Sequence, residues 1–153
     1  MLAKDINPAM SWRMWAPALT GFGLAMLYPV GGGDSLPQRP PRAAFSVIWT
    51  VLYILIGISW VLAHRQVGKH NDMTHFALVG ALLLWIVVYG SGPEDIVRQR
   101  YALYVLGCAF ATAVACMSLH TDPRGKLVLA PLVAWLLIAF QLNFALVGET
   151  AKK

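Results

Sequence analysis

The feature that most constrains this chain is a set of five apolar runs separated by short polar breaks. They fall at about residues 14–30, 43–63, 75–90, 101–119 and 127–147. A helix that crosses a bilayer needs about 20 predominantly apolar residues, and each run is near that length. The third run, Phe76 to Tyr89, is the shortest, and Thr74, His75 and Gly90 extend it toward the headgroups. Backbone polar groups in hydrocarbon must be bonded within the chain, so runs like these become helices. The expected fold is all-α: an integral membrane bundle of five transmembrane helices, forming one domain over residues 1–153.

Composition excludes the alternatives. Of 153 residues, 58% are hydrophobic and 12% charged, about half the charged share of an ordinary soluble domain. Twelve Lys or Arg and seven Asp or Glu cannot cover the surface of so small a soluble domain. Disorder falls with the same numbers. The net charge of +5 is spread singly between apolar runs, without the basic stripe a phosphate backbone needs. Nucleic acid is therefore excluded as a partner, and membrane lipid is the expected surrounding. Basic residues divide evenly between the two ends of the bundle, so orientation does not follow. Lys4 and Arg13 precede the first run and no A-x-A cleavage site follows it, which reads as a retained span.

Breakers mark the connections. Pro29 to Asp34 closes the first helix, and Pro37, Pro40 and Pro41 stiffen the rest of that loop. His64 to Met73 is polar, Gly90 to Pro93 opens the third loop, and Thr121 to Gly125 is a tight turn. Short connections lay each helix antiparallel beside its predecessor. Cys108 and Cys116 lie in one run, about 12 Å apart along a helix axis, too far for a disulfide.

Several groups of residues carry more specific expectations. Gly21 and Ala25, and then Gly107, Ala111 and Ala115, are small residues at four-residue spacing. Such stripes allow close helix approach, either inside the bundle or at an interface with a second protein. Phe45, Trp49 and Tyr53 share one face of the second helix, with Trp60 near it. Aromatic belts belong at membrane interfaces, as Trp12, Trp15, Tyr28, Tyr101 and Tyr104 would be, but Trp49 is deeper. It is either interhelical packing or one wall of a pocket for a flat apolar ligand. Trp135, Ala139 and Asn143 repeat the pattern on the fifth helix. Asn143 and Gln141 are polar groups in an apolar run, suited to an interhelical hydrogen bond or a ligand contact. His64, His70, His75 and His120 all fall at helix ends or in loops, where solvated histidines are usual. Asp and Glu all fall outside the apolar runs. Neither a metal cluster nor a nucleophile triad nor a phosphate loop is present, so an enzyme is not expected.

Two stretches carry a resemblance. Pro40-Pro41-Arg42-Ala43-Ala44-Phe45-Ser46-Val47-Ile48-Trp49-Thr50-Val51-Leu52-Tyr53 is similar to the P-P-x-x-x-F-x-x-x-W-x-x-L-Y signature of the TspO/MBR family. That family comprises tryptophan-rich sensory proteins and mitochondrial translocator (peripheral benzodiazepine receptor) proteins. Pro131, Trp135, Ala139, Leu142 and Asn143 resemble its fifth-helix signature. Together the clear matches cover about a third of the chain. The resemblance implies a five-helix bundle, usually a homodimer, with a pocket between the first two helices lidded by the loop joining them. It implies ligands such as porphyrins and other tetrapyrroles, sterols or benzodiazepine-type drugs, and roles in transport, stress sensing or regulation. Light-dependent porphyrin breakdown is also implied for the family.

The candidate ligand-binding set is therefore Trp49, Tyr53, Trp85, Trp135, Ala139 and Asn143. The candidate interface is Gly107, Ala111 and Ala115. No cofactor is required; a bound tetrapyrrole, carotenoid or lipid is the expected occupant, in a bacterial membrane. The chain departs from the family in three places. Gly31 to Arg39 has no aromatic, so the lid looks stripped. Leu82 stands where the family has Asn three residues before a Trp, here Trp85. Phe144-Ala145-Leu146-Val147 lacks the Tyr and Arg of the sterol-recognition segment. These departures, and the family's link to pigment and photosynthesis genes in purple bacteria, motivate a second expectation. In it the chain is an accessory subunit of a larger membrane complex, such as a photosynthetic pigment-protein complex.

Overall fold

The computed structural model describes residues 8–28, 36–91 and 94–152. Five α-helices follow one another: α1 Pro8–Leu27, α2 Arg42–Val67, α3 His70–Gly90, α4 Ile96–Leu119 and α5 Pro123–Thr150. Among the described residues there is no strand. Four of the helices, α2 to α5, are long and apolar enough to cross a membrane. α1 has 20 residues but is less apolar, since Arg13, two prolines and two tryptophans fall within it.

Most helices outrun their apolar stretches, because polar ends reach past the hydrocarbon. α2 extends to Val67 and α3 begins at His70, so the polar segment 64–73 is mostly helix rather than loop. Only Gly68 and Lys69 separate them. Gly68 takes φ 75°, where an L side chain is strained, and its N–H closes on the His64 carbonyl. Asp95 and Asp122 start α4 and α5 by accepting from the N–H two residues on, each at 2.9 Å. Asp122 is followed by Pro123 at the first helical position. The prolines and glycines at 29–33 lie outside the described residues, as does most of the segment read as a stripped lid.

The helices close into a ring in the order α1, α2, α5, α4, α3, with α3 returning to α1 and also touching α2. Chain neighbours α2 and α3 are thus not the closest pair; α5 takes the other flank of α2. Close approach depends on glycine. A Cβ at Gly57 would strike the Met14 carbonyl, and one at Gly21 would strike the Tyr53 ring. The centre holds Ile56, Leu78, Leu82, Leu106, Leu132 and Leu136, all fully buried. Leu82 is part of this core. Large apolar side chains also face outward, Leu19, Met26, Val47, Leu127 and Phe144 among them, as expected where lipid is the solvent. Cys108 is exposed and Cys116 buried, and neither is in a disulfide.

Candidate functional site

A cavity of about 350 Å³ opens among α1, α2 and α3. Gly21, Phe22 and Ala25 of α1 form one side. Phe45, Ser46, Trp49 and Tyr53 of α2 form another, and Trp85 and Ile86 of α3 form the floor. Arg39 and Arg42 stand at its end. The four-residue spacing on α2 puts Phe45, Trp49 and Tyr53 on the same wall. Trp49 and Trp85 are stacked, with centroids 5.6 Å apart and planes 25° apart. Tyr53 tilts against Trp49 at 5.7 Å, and Phe22 meets Tyr53 edge-on at 6.3 Å. Gly21 makes room for the Tyr53 ring, so the small pair on α1 both packs and shapes the cavity.

Three of the six residues expected to bind a ligand, Trp49, Tyr53 and Trp85, therefore line this cavity. Ala139 and Asn143 do not. They line a second gap of about 30 Å³, with Leu36, Arg39, Phe45, Trp85 and Tyr89. Trp85 and Phe45 separate the two spaces. Trp135 lines neither; it packs edge-on against Phe45 at 5.9 Å. Among the described residues Asn143 makes no interhelical hydrogen bond. Its Nδ2 donates to the Ala139 carbonyl of its own helix at 2.8 Å. Gln141, the other polar residue of that run, faces outward.

The site has polar features despite its apolar walls. The indole N–H groups of Trp49, Trp85 and Trp135 are buried without an acceptor among the described residues. A buried donor left unpaired costs about 1–3 kcal/mol. The Arg39 guanidinium lies 5.8 Å over the Phe45 ring, placing a cation between the two spaces. Sequence reasoning missed Arg39, Ile86 and Phe22 as site residues. Arg39 follows a turn closed by its own N–H to the Leu36 carbonyl, a local fold without a spacing signal.

Two of the histidines depart further from expectation. His75 and His120 are fully buried rather than solvated. Asp72 lies in the first turn of α3, ahead of the apolar run, and accepts from Arg13 Nε at 2.8 Å and Trp60 Nε1 at 2.7 Å. His64 Nδ1 stands 3.4 Å from the same carboxylate.

The model of one protein family, TspO/MBR, matches residues 34–148, three quarters of the chain. The chain belongs to the TspO/MBR family. A tryptophan-rich protein TspO of Archaeoglobus fulgidus is 31% identical over 111 residues, covering 70% of each chain. A tryptophan-rich sensory protein of Cereibacter sphaeroides is 26% identical over 133 residues, covering 84% of this chain and 81% of that one. The aromatic cavity thus belongs to a TspO/MBR-family membrane protein. The family match begins at Asp34 and leaves out α1. The α1 wall of the cavity, Gly21, Phe22 and Ala25, is therefore a feature of this chain read from its own geometry.

Proposed function

We propose that this TspO/MBR-family protein binds a planar, largely apolar ligand, a porphyrin or related tetrapyrrole, in the cavity among α1, α2 and α3, and serves transport, sensing or regulation rather than catalysis. The stacked Trp49 and Trp85 beside an aromatic-walled space carry this reading. Flat rings suit a flat π-surface, and burial contributes about 25 cal/mol per Å² before ordering costs. The cavity sits at the low end of the roughly 300–1,000 Å³ usual for small-molecule sites. Arg39 and Arg42 at its end suit carboxylate groups on the ring edge. The buried Trp49 and Trp85 N–H groups suit acceptors on the ligand. A carotenoid or lipid would use the apolar walls but not these donors. Five spans, α1 included, in a bacterial membrane complete the reading.

The test is titration of protoporphyrin IX into detergent-solubilised protein, read by tryptophan quenching. Ser46→Trp, at an exposed rim position, fills the mouth and is expected to weaken binding at least tenfold. Trp135→Phe, outside the cavity, leaves affinity within about threefold. Equal affinity in wild type and Ser46→Trp would refute the cavity as the binding site.

A second reading rests on α4. Ala111 and Ala115 face outward and Gly107 is half-buried, while Ala102, Ala109 and Ala113 face the core. The outward stripe suits a second transmembrane surface, either in a homodimer or in a larger membrane complex that the chain joins as an accessory subunit, a photosynthetic one included.

A further inference from the structure

At the end of the bundle away from the cavity, a buried hydroxyl joins two buried histidines. Ser59 Oγ of α2 lies 3.1 Å from His75 Nε2 of α3 and 2.9 Å from His120 Nε2, at the close of α4. All three side chains are essentially sealed from solvent. Ser59 is ten residues beyond Trp49 on α2, about 15 Å along the axis, so this is a separate place from the ligand cavity.

The hydrogen-bond roles are set by the partners. His75 Nδ1 lies 3.3 Å from the Asn71 backbone carbonyl and 2.9 Å from Asn71 Oδ1. The backbone carbonyl can only accept, so His75 Nδ1 carries its proton and Nε2 is a bare lone pair. Ser59 therefore donates its hydroxyl proton to His75 Nε2. Its oxygen then accepts from His120 Nε2–H. His120 Nδ1 is left as a buried lone pair without a donor among the described residues. It rests against Gly125, where a Cβ would collide with the imidazole, so the first turn of α5 is shaped to admit the ring.

We propose that His120, Ser59 and His75 form a site that binds a single proton, entering at His120 Nδ1 and held as a cation on His75. The transfer balances along the chain. As a proton from hydronium bonds to His120 Nδ1, the Nε2 proton of His120 moves to Ser59 Oγ. The hydroxyl proton of Ser59 moves to His75 Nε2. The product is neutral His120 with its proton on Nδ1, an intact serine hydroxyl donating to His120, and a His75 imidazolium donating to Ser59. Both hydrogen bonds of Ser59 survive with their direction reversed, and His75 Nδ1–H still donates to Asn71. A second proton would set both Nε2–H groups against one oxygen, leave the hydroxyl proton without an acceptor and place two cations on one serine.

One contact favours the charge on His75 over His120. The His75 ring is stacked on Trp60, 5.6 Å between centroids and 16° between planes, which suits a cation on an aromatic face. Trp60 in turn donates to Asp72. The charged or titratable neighbours are Asp72 from α3, Arg13 from α1 bonded to it, and His64 from α2. From the α5 side they are Asp122 and Lys126, and from α4 the buried Cys116, one turn before His120. Burial lowers the His120 pKa from its ordinary value; Asp122 opposes this and Lys126 adds to it. The Trp60 face under its ring is what makes His75 the cationic end of the pair. Uptake of the proton begins below the usual histidine range, about 6.5.

Nitrogen-15 histidine NMR on the full chain in micelles, from pH 8 to pH 4, tests this. Signals are assigned with His64→Gln and His70→Gln variants. At pH 8 the expected tautomers are Nδ1–H for His75 and Nε2–H for His120. On acidification His75 becomes imidazolium while His120 stays neutral and switches to Nδ1–H, both at one midpoint. Trp60 fluorescence is quenched at that midpoint, because the cation lies on its ring. In Ser59→Ala the His120 switch is lost while His75 still titrates. A His120 that becomes the cation, two separate midpoints, or a switch that persists in Ser59→Ala would overturn the proposal. The wild-type tautomers at pH 8 decide the starting state alone if Ser59→Ala does not fold.

Discussion

Gly57 shows what one missing Cβ does here. In sequence it is an unremarked glycine inside an apolar run, yet it marks where the α1 backbone touches α2. Any side chain there must push the Met14 carbonyl away. Gly57→Ala is expected to cost about 1–3 kcal/mol, the scale of overpacking a filled core. Gly80, also inside a helix, has nothing within 4 Å of a Cβ. Gly80→Ala should leave the melting midpoint unchanged or slightly raised, since alanine is the better helix former. Thermal melts of both variants in one detergent check the pair, and equal shifts would show that the α1–α2 contact is not the cause. At this scale the sequence signals were uneven. The spacing of Phe45, Trp49 and Tyr53 was readable because helical period alone puts them on one wall. His75 and His120 misled, because a histidine at a helix end is buried or wet according to what packs beyond it.

At the scale of elements, the five helices were legible and their ends were not. Hydrophobic runs reveal the part of a helix in hydrocarbon, whereas α2 and α3 continue through polar residues on either side of Gly68. Asp72 is invisible to an apolar-run reading because its partners, Arg13 and Trp60, are 59 and 12 residues away. α4 divides its small residues between two faces. Ala109 and Ala113 are fully buried, whereas Ala111 and Ala115 are exposed. Ala111→Leu with Ala115→Leu should keep the melting midpoint within about 2 °C but abolish self-association or release the protein from its complex. Ala109→Leu should instead unfold the bundle, being an insertion into a closed core. Sedimentation in detergent, or comigration with a large complex on native gels, reads the first result. Unchanged assembly in the double variant would remove α4 as the interface.

For the whole molecule, the ring must be closed at α1, the helix that falls outside the four membrane-length apolar ones. Its hold on α3 includes the Arg13–Asp72 pair, with Nη2 2.6 Å from Oδ2 and side chains 8% and 14% exposed. Breaking a pair this buried by removing one partner costs about 3–5 kcal/mol, because the remaining charge is left without its counterion. Asp72→Asn should therefore loosen α1 and lower the melting midpoint strongly. Replacing both residues, as Arg13→Leu with Asp72→Leu, should recover much of the loss. Hydrogen exchange of α1 amides locates the effect; protection of α1 unchanged in Asp72→Asn would mean that the pair does not hold the ring closed. Because α1 also forms one wall of the aromatic cavity, the same variant is expected to weaken porphyrin binding.

Sequence alone determined that this is a helical chain with several membrane-length segments, and two signatures in register pointed to the TspO/MBR family. Both rest on local rules: hydrocarbon demands internally bonded backbone, and helical period sorts residues onto faces. Tertiary structure alone decided which faces meet. It put Trp85 against Trp49 to floor the cavity, turned Trp135 toward Phe45 instead, and sent Asn143 back to its own helix. It also gathered Ser59, His75 and His120 into one buried cluster. Those outcomes depend on the rotation and order of five helices in a ring, quantities set by the fit of side chains far apart in the chain rather than by spacing along it.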